Sequence, residues 1–146
     1  MDNVLIVVDD MDAMIAFFEE LGMEREGRAV VEGPLVDRVV GLEETRSEIV
    51  MLRTPDGHGR VELSKFHVPA PVHAEPRDAP VNALGLRRVM FAVDDIEEVL
   101  ERLKAAHDAE LVGELVRYED SYMLCYVRGP EGILVGLAEE LAPQPA

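Results

Sequence analysis

The chain has a single cysteine, Cys125, no tryptophan, and only 5% aromatic residues among its 146 positions. One thiol excludes an internal disulfide and predicts a reducing compartment, which we take to be the cytoplasm. No apolar run approaches the roughly 20 residues a membrane helix needs. The chain also begins directly on a strand-like run with no basic stretch, which predicts neither a membrane anchor nor a signal peptide. Basic residues are scarce, 14 against 30 acidic, for a formal net charge of −16. That balance excludes nucleic acid and anionic membrane as partners, because phosphate surfaces demand clustered Lys and Arg. It favours a cationic small molecule electrostatically, and it also serves solubility. What remains is 48% hydrophobic residues in a chain long enough for a real core.

The chain repeats itself. Val4-Leu5-Ile6-Val7-Val8-Asp9-Asp10 returns 85 positions later as Val89-Met90-Phe91-Ala92-Val93-Asp94-Asp95. Each copy is a short, nearly continuous apolar run, the pattern of a buried strand. An amphipathic helix follows each run: Met11, Met14, Ile15, Phe18 and Leu21 recur at helical spacing, as do Ile96, Val99, Leu100 and Leu103. The Asp pairs suit helix N-caps, and Asp95 with Glu98 has the spacing of a capping box. A double Asp also invites a metal reading, but capping accounts for both copies without it.

Both halves end alike. Leu52-Arg53-Thr54-Pro55-Asp56-Gly57 matches Val127-Arg128-Gly129-Pro130-Glu131-Gly132, and Pro–acid–Gly is a turn signal. The flanking segments 47–53 with 60–66, and 121–128 with 133–138, read as two antiparallel hairpins. A further strand is expected in each half, at 24–31 and 110–118, and a helical turn at 34–42. The expected organisation is a first βαβββ unit at 1–66, a Pro-rich linker at 67–82, a second unit at 83–141 and a tail at 142–146, within one α+β domain.

Two copies of a strand entering Val-Asp-Asp, an amphipathic helix and a Pro–acid–Gly hairpin resemble the vicinal oxygen chelate (glyoxalase/bleomycin-resistance/dioxygenase) superfamily, from Asn3 to Leu141. The resemblance implies a curved eight-stranded cup that holds a small-molecule ligand and is often completed by a homodimer. It is weak for activity, since one fold hosts many chemistries. Metal-dependent members hold a divalent ion with four side chains, and the matching positions here are Asn3, Glu62, Arg88 and Gly136. Arg88 stays protonated and only donates, and Gly136 has no side chain, so the resemblance leaves these ligand positions degenerate. No metal cofactor is therefore expected; Zn, Ni, Fe or Mn is the alternative, in an enzyme.

Four histidines lie elsewhere, at 58, 67, 73 and 107, without ligand spacing, and only His67 is placed to reach a cup mouth. Glu62 and Arg88 read either as a bidentate ion pair or as a general base beside an anion-gripping cation. Alternation places Tyr122 and Tyr126 on one face of their strand, as pocket lining, core or dimer seam, and puts Cys125 on the other as a buried thiol. Two functions stay open: a metal-free binding protein of the bleomycin-resistance type, or a lactoylglutathione-lyase-like or dioxygenase-like enzyme built on Glu62. Asn3, His67, Arg88, Tyr122 and Tyr126 are the candidate ligand contacts, with Glu62 the candidate catalytic group.

Overall fold

The computed structural model describes residues 1–74 and 76–142, in two compact units, Met1–Ala74 and Glu75–Ala146. In the first, β1 (Val4–Val7) leads into α1 (Met11–Glu20), β2 (Glu24–Glu32), α2 (Pro34–Val40), β3 (Arg46–Arg53) and β4 (Arg60–Val68). The sheet order is β1-β4-β3-β2, with β1 parallel to β4 and the other pairs antiparallel. The second unit runs β5 (Arg88–Ala92), α3 (Ile96–His107), β6 (Glu110–Leu111), β7 (Val116–Tyr118), β8 (Tyr122–Arg128) and β9 (Leu134–Glu140). Its order is β5-β9-β8-β6, with β7 also on β8 and β5 parallel to β9. Each unit is thus the same βαβββ design, as the internal repeat predicts.

The two longer helices, α1 and α3, start where a side chain can satisfy an orphan N–H. Asp10 Oδ1 accepts from the Ala13 amide and Asp95 Oδ1 from the Glu98 amide, both at 3.1 Å. The capping box is only half made, because the Glu98 carboxylate accepts from Arg102 at 2.6 Å, one helical turn on. Asp10→Ala and Asp95→Ala are each expected to cost about 1 kcal/mol. Urea unfolding checks this; a loss near zero at both sites would remove capping as the reason for the Asp pairs.

α1 and α3 each lay an apolar stripe on one sheet face. Met14, Ile15, Phe17 and Phe18 are buried with Val50, Leu52, Val61 and Leu63 in the first unit. Ile96, Val99, Leu100 and Leu103 are buried with Phe91, Cys125, Val127, Val135 and Leu137 in the second. Phe17 lies outside the predicted stripe and is buried as fully as Phe18, meeting it edge-on at 5.6 Å.

Two expectations change. The apolar runs of β1 and β5 are not buried on both faces: Leu5, Val7 and Met90 are 48%, 50% and 38% exposed, because the helix covers only one face of each sheet. The single strand expected at 110–118 is broken into β6 and β7. Leu111-Val112-Gly113-Glu114 does not alternate, and Gly113 removes a side chain that could hold the ladder. Elsewhere the limits shift slightly, with β4 running on through His67 to Val68 past a bulge opposite Arg46 and Ser47.

Candidate functional site

The faces turned away from the helices carry the candidate residues. In the first unit, Leu5 sits opposite Glu62 and Met51 lies across from Glu62 on the other side. In the second, Met90 sits opposite Gly136, with Tyr126 across from it. Glu62 and Gly136 therefore hold equivalent register positions, one strand over from Leu5 and Met90. Asn3 and Arg88 precede those residues by two, at matching places in the repeat.

The two faces differ in chemistry. Glu62 is half-buried between its apolar neighbours and, among the described residues of its own unit, makes no hydrogen bond or ion pair. Close by on that face, the Ser47 and Ser64 hydroxyls hydrogen-bond at 2.6 Å and are buried. Asn3 turns aside, its Nδ2 donating to Asp2 at 2.7 Å.

In the second unit Arg88 Nε donates to the Tyr126 hydroxyl at 2.6 Å, and the guanidinium carbon lies 5.3 Å from the ring centroid, within cation–π reach. The partner the structure gives Arg88 is thus a tyrosine of its own unit. Gly136 lies beneath these side chains: a Cβ there would stand 2.7 Å from Met90 Cε, at the flexible end of that side chain, and in ordinary contact, 3.5 Å, with Arg88 Cδ. The stems of Arg88 and Met90 occupy the room an acidic side chain would need.

Beside Tyr126, the gap between β6 and β7 opens a pocket of about 320 Å³. Val81, Val112, Val116, Leu124 and Tyr126 line it with Cys125 and Gly113, and Glu114 is its one charged residue. A shallow hollow of about 370 Å³ at Ala92–Asp94 and Glu140–Ala142 includes none of the four candidate positions. Tyr122 shares the Tyr126 face but is exposed and lies outside the pocket, paired across the ladder with Tyr118. His67 is exposed at the end of β4. Cys125 points to the helix side and is buried, and that burial pushes its thiol pKa up despite the opposing charge of Lys104, which makes it a poor nucleophile.

Sequence reasoning missed the pocket and the Arg88–Tyr126 pair. The i, i+2 spacing of Leu124 and Tyr126 puts both on one face, but nothing local announces that 113–115 leave the ladder after the Val112 amide bonds the Tyr126 carbonyl at 3.0 Å.

As a metal site, the donor set fits poorly. Arg88 has no lone pair to give, Gly136 no side chain, and Asn3 is a weak ligand already engaged, which leaves one carboxylate. Among the described residues no group of three or more His, Cys, Asp or Glu could hold a metal ion. No helix among them is long and apolar enough to cross a membrane.

A fold of two βαβββ units with these open sheet faces is that of one broad superfamily. The family model described as Glyoxalase/Bleomycin resistance protein/Dioxygenase superfamily matches residues 1–137, and the chain belongs to that superfamily. A glyoxalase family protein from Bacillus cereus is 59% identical, with a TM-score of 0.92 over 97% of this chain and 94% of that one. Two more distant structures share the fold alone. The trypanothione-dependent glyoxalase I of Leishmania major is 21% identical with a TM-score of 0.62, over 96% of this chain and 86% of that one. The fosfomycin resistance protein FosX of Listeria monocytogenes is 14% identical with a TM-score of 0.62, over 99% and 94%. A FosX variant has been solved with Mn(II) and a dihydroxypropylphosphonic acid. Among curated proteins, none matches the chain.

Proposed function

We propose that this protein is a cytoplasmic small-molecule-binding member of its superfamily, whose cup operates without the divalent metal that other members use and is completed by pairing two chains. The observation that carries this reading is the Arg88–Tyr126 pair packed over Gly136. A permanent cation stands where a metal ligand is expected, and it would repel a divalent ion placed beside it. Exposed Leu5 and Val7 on the edge strand β1 supply apolar surface for a partner chain, and open strand edges favour pairing.

Elemental analysis of protein purified without chelator or metal-affinity steps tests the reading. The expected result is negligible metal per chain, unchanged after incubation with Zn, Ni, Fe or Mn. Near-stoichiometric uptake of any of these would overturn it. A lyase or dioxygenase centred on Glu62 would then take its place.

A further inference from the structure

The chemistry of the ligand can be narrowed, granted the metal-free site just proposed. We propose that the second unit binds a small oxyanion with an apolar body, its carboxylate or phosphonate head on the Arg88 guanidinium and its body in the pocket beside Tyr126.

Three observations converge. First, Arg88 is held from one side only. Nε is committed to the Tyr126 hydroxyl and the ring lies beneath the guanidinium, which leaves the two terminal nitrogens as a preoriented fork. Second, Arg88 lacks the carboxylate partner that seven other arginines have, a condition it shares among the described residues with Arg38, Arg77, Arg87 and Arg128. Arg25, Arg28, Arg46, Arg53 and Arg60 each meet a carboxylate in the first unit, as do Arg102 and Arg117 in the second. Among the described residues of its own unit Arg88 meets none, in a chain with 30 acidic side chains. Third, Tyr126 belongs both to this pair and to the wall of the adjoining pocket. A head group on Arg88 therefore has apolar lining within reach. The pocket's roughly 320 Å³ is at the small end of the ~300–1,000 Å³ typical of ligand sites. Glu114, the one acidic residue lining it, disfavours a dianion lying deeper and orients the charged end towards Arg88.

The net charge of −16 opposes an anion only at long range. At physiological salt, charges more than about 8–10 Å apart in solvent are largely screened. The local guanidinium therefore decides which head group is accepted, while the overall charge slows encounter.

The test uses four probes of one shape, titrated calorimetrically: naphthylacetate, naphthylmethylphosphonate, naphthylacetamide and naphthylethylamine. Since the chain has no tryptophan, tyrosine fluorescence gives a second readout near Tyr126. One or both oxyanions should bind about tenfold or more tighter than the amide, the scale of a charge-assisted hydrogen bond. Arg88→Gln should abolish that preference and Arg88→Lys restore part of it. Tyr126→Phe, which frees Arg88 but keeps the ring, should weaken the oxyanions severalfold and leave the amide unchanged. Thermal melts of all three variants should stay close to the parent, because these side chains are outside the core.

A tighter-binding amine, an amide equal to the oxyanions, a preference that survives Arg88→Gln, or no binding by any probe at millimolar concentration would overturn the proposal. Binding by the amide or amine alone leaves the metal-free pocket standing. Binding that chelator abolishes and Arg88→Gln does not would overturn the metal-free reading as well.

Discussion

Phe18→Ala is expected to destabilise the protein by about 3–5 kcal/mol, which for a chain of this length lowers the melting temperature by on the order of 10 °C. Phe18 is fully buried on α1, edge-on to Phe17, in a core shared with Met14, Val50, Leu52 and Leu63. Truncation removes most of an aromatic side chain, and β-sheet backbone cannot shift far enough to refill the space without breaking its ladder. Val39→Ala on α2 is the control: Val39 is 85% exposed, so its loss should fall within about 0.5 kcal/mol. Urea unfolding of both variants decides it. A loss below about 1 kcal/mol for Phe18→Ala would mean that the α1 stripe is not the core of its unit.

The second large effect separates two glycines that the repeat makes equivalent. Gly57 and Gly132 close the two Pro–acid–Gly turns with φ of +76° and +79°. Around Gly57 a new Cβ would meet nothing within 4 Å, so Gly57→Ala should cost only the left-handed backbone penalty, about 1 kcal/mol. At Gly132 the same Cβ would lie 2.6 Å from both the Arg77 carbonyl oxygen and Asp78 Oδ1. The first of these is backbone and cannot swing away. Arg128 reinforces the contact by donating to the carbonyls of Gly132 and Ala79, both at 2.9 Å, which ties the 77–79 segment to the turn. Gly132→Ala is therefore expected to cost about 2–4 kcal/mol, the backbone penalty plus displacement of that segment. Equal losses for the two variants would show that the 77–79 segment yields freely.

These glycines also illustrate what local sequence can and cannot reveal. Pro–acid–Gly announces the turn in both halves, because Pro and Gly restrict and permit backbone angles whatever surrounds them. That a distant carbonyl presses on one and not the other is invisible to it. The helix caps Asp10 and Asp95 were legible for the same reason, being satisfied three residues away. Glu98, by contrast, turned to Arg102 rather than back to the cap, a choice between two local partners that spacing alone leaves open.

The candidate site divides the same way. The resemblance to the superfamily implied Asn3, Glu62, Arg88 and Gly136, and the ladder registers place Glu62 and Gly136 at equivalent positions in their sheets. Their partners were not legible. Arg88 could be read against a carboxylate or a ligand, and it finds the hydroxyl of Tyr126, 38 positions along the chain, across β9, which runs between their strands with Gly136 at that register. The pocket beside them depends on residues 113–115 leaving the ladder, which a long stretch of strand-like composition concealed.

From its sequence alone, then, this protein's two βαβββ units, the starts of α1 and α3 and the hairpin turns could be derived, since periodicity, capping and turn chemistry act over a few residues and repeat with the chain. Which face of β1 and β5 stays exposed, what Arg88 grasps and where a pocket opens were decided only by tertiary structure. Those depend on strand register and on which side chains are missing across a ladder, and neither is a local property of the chain.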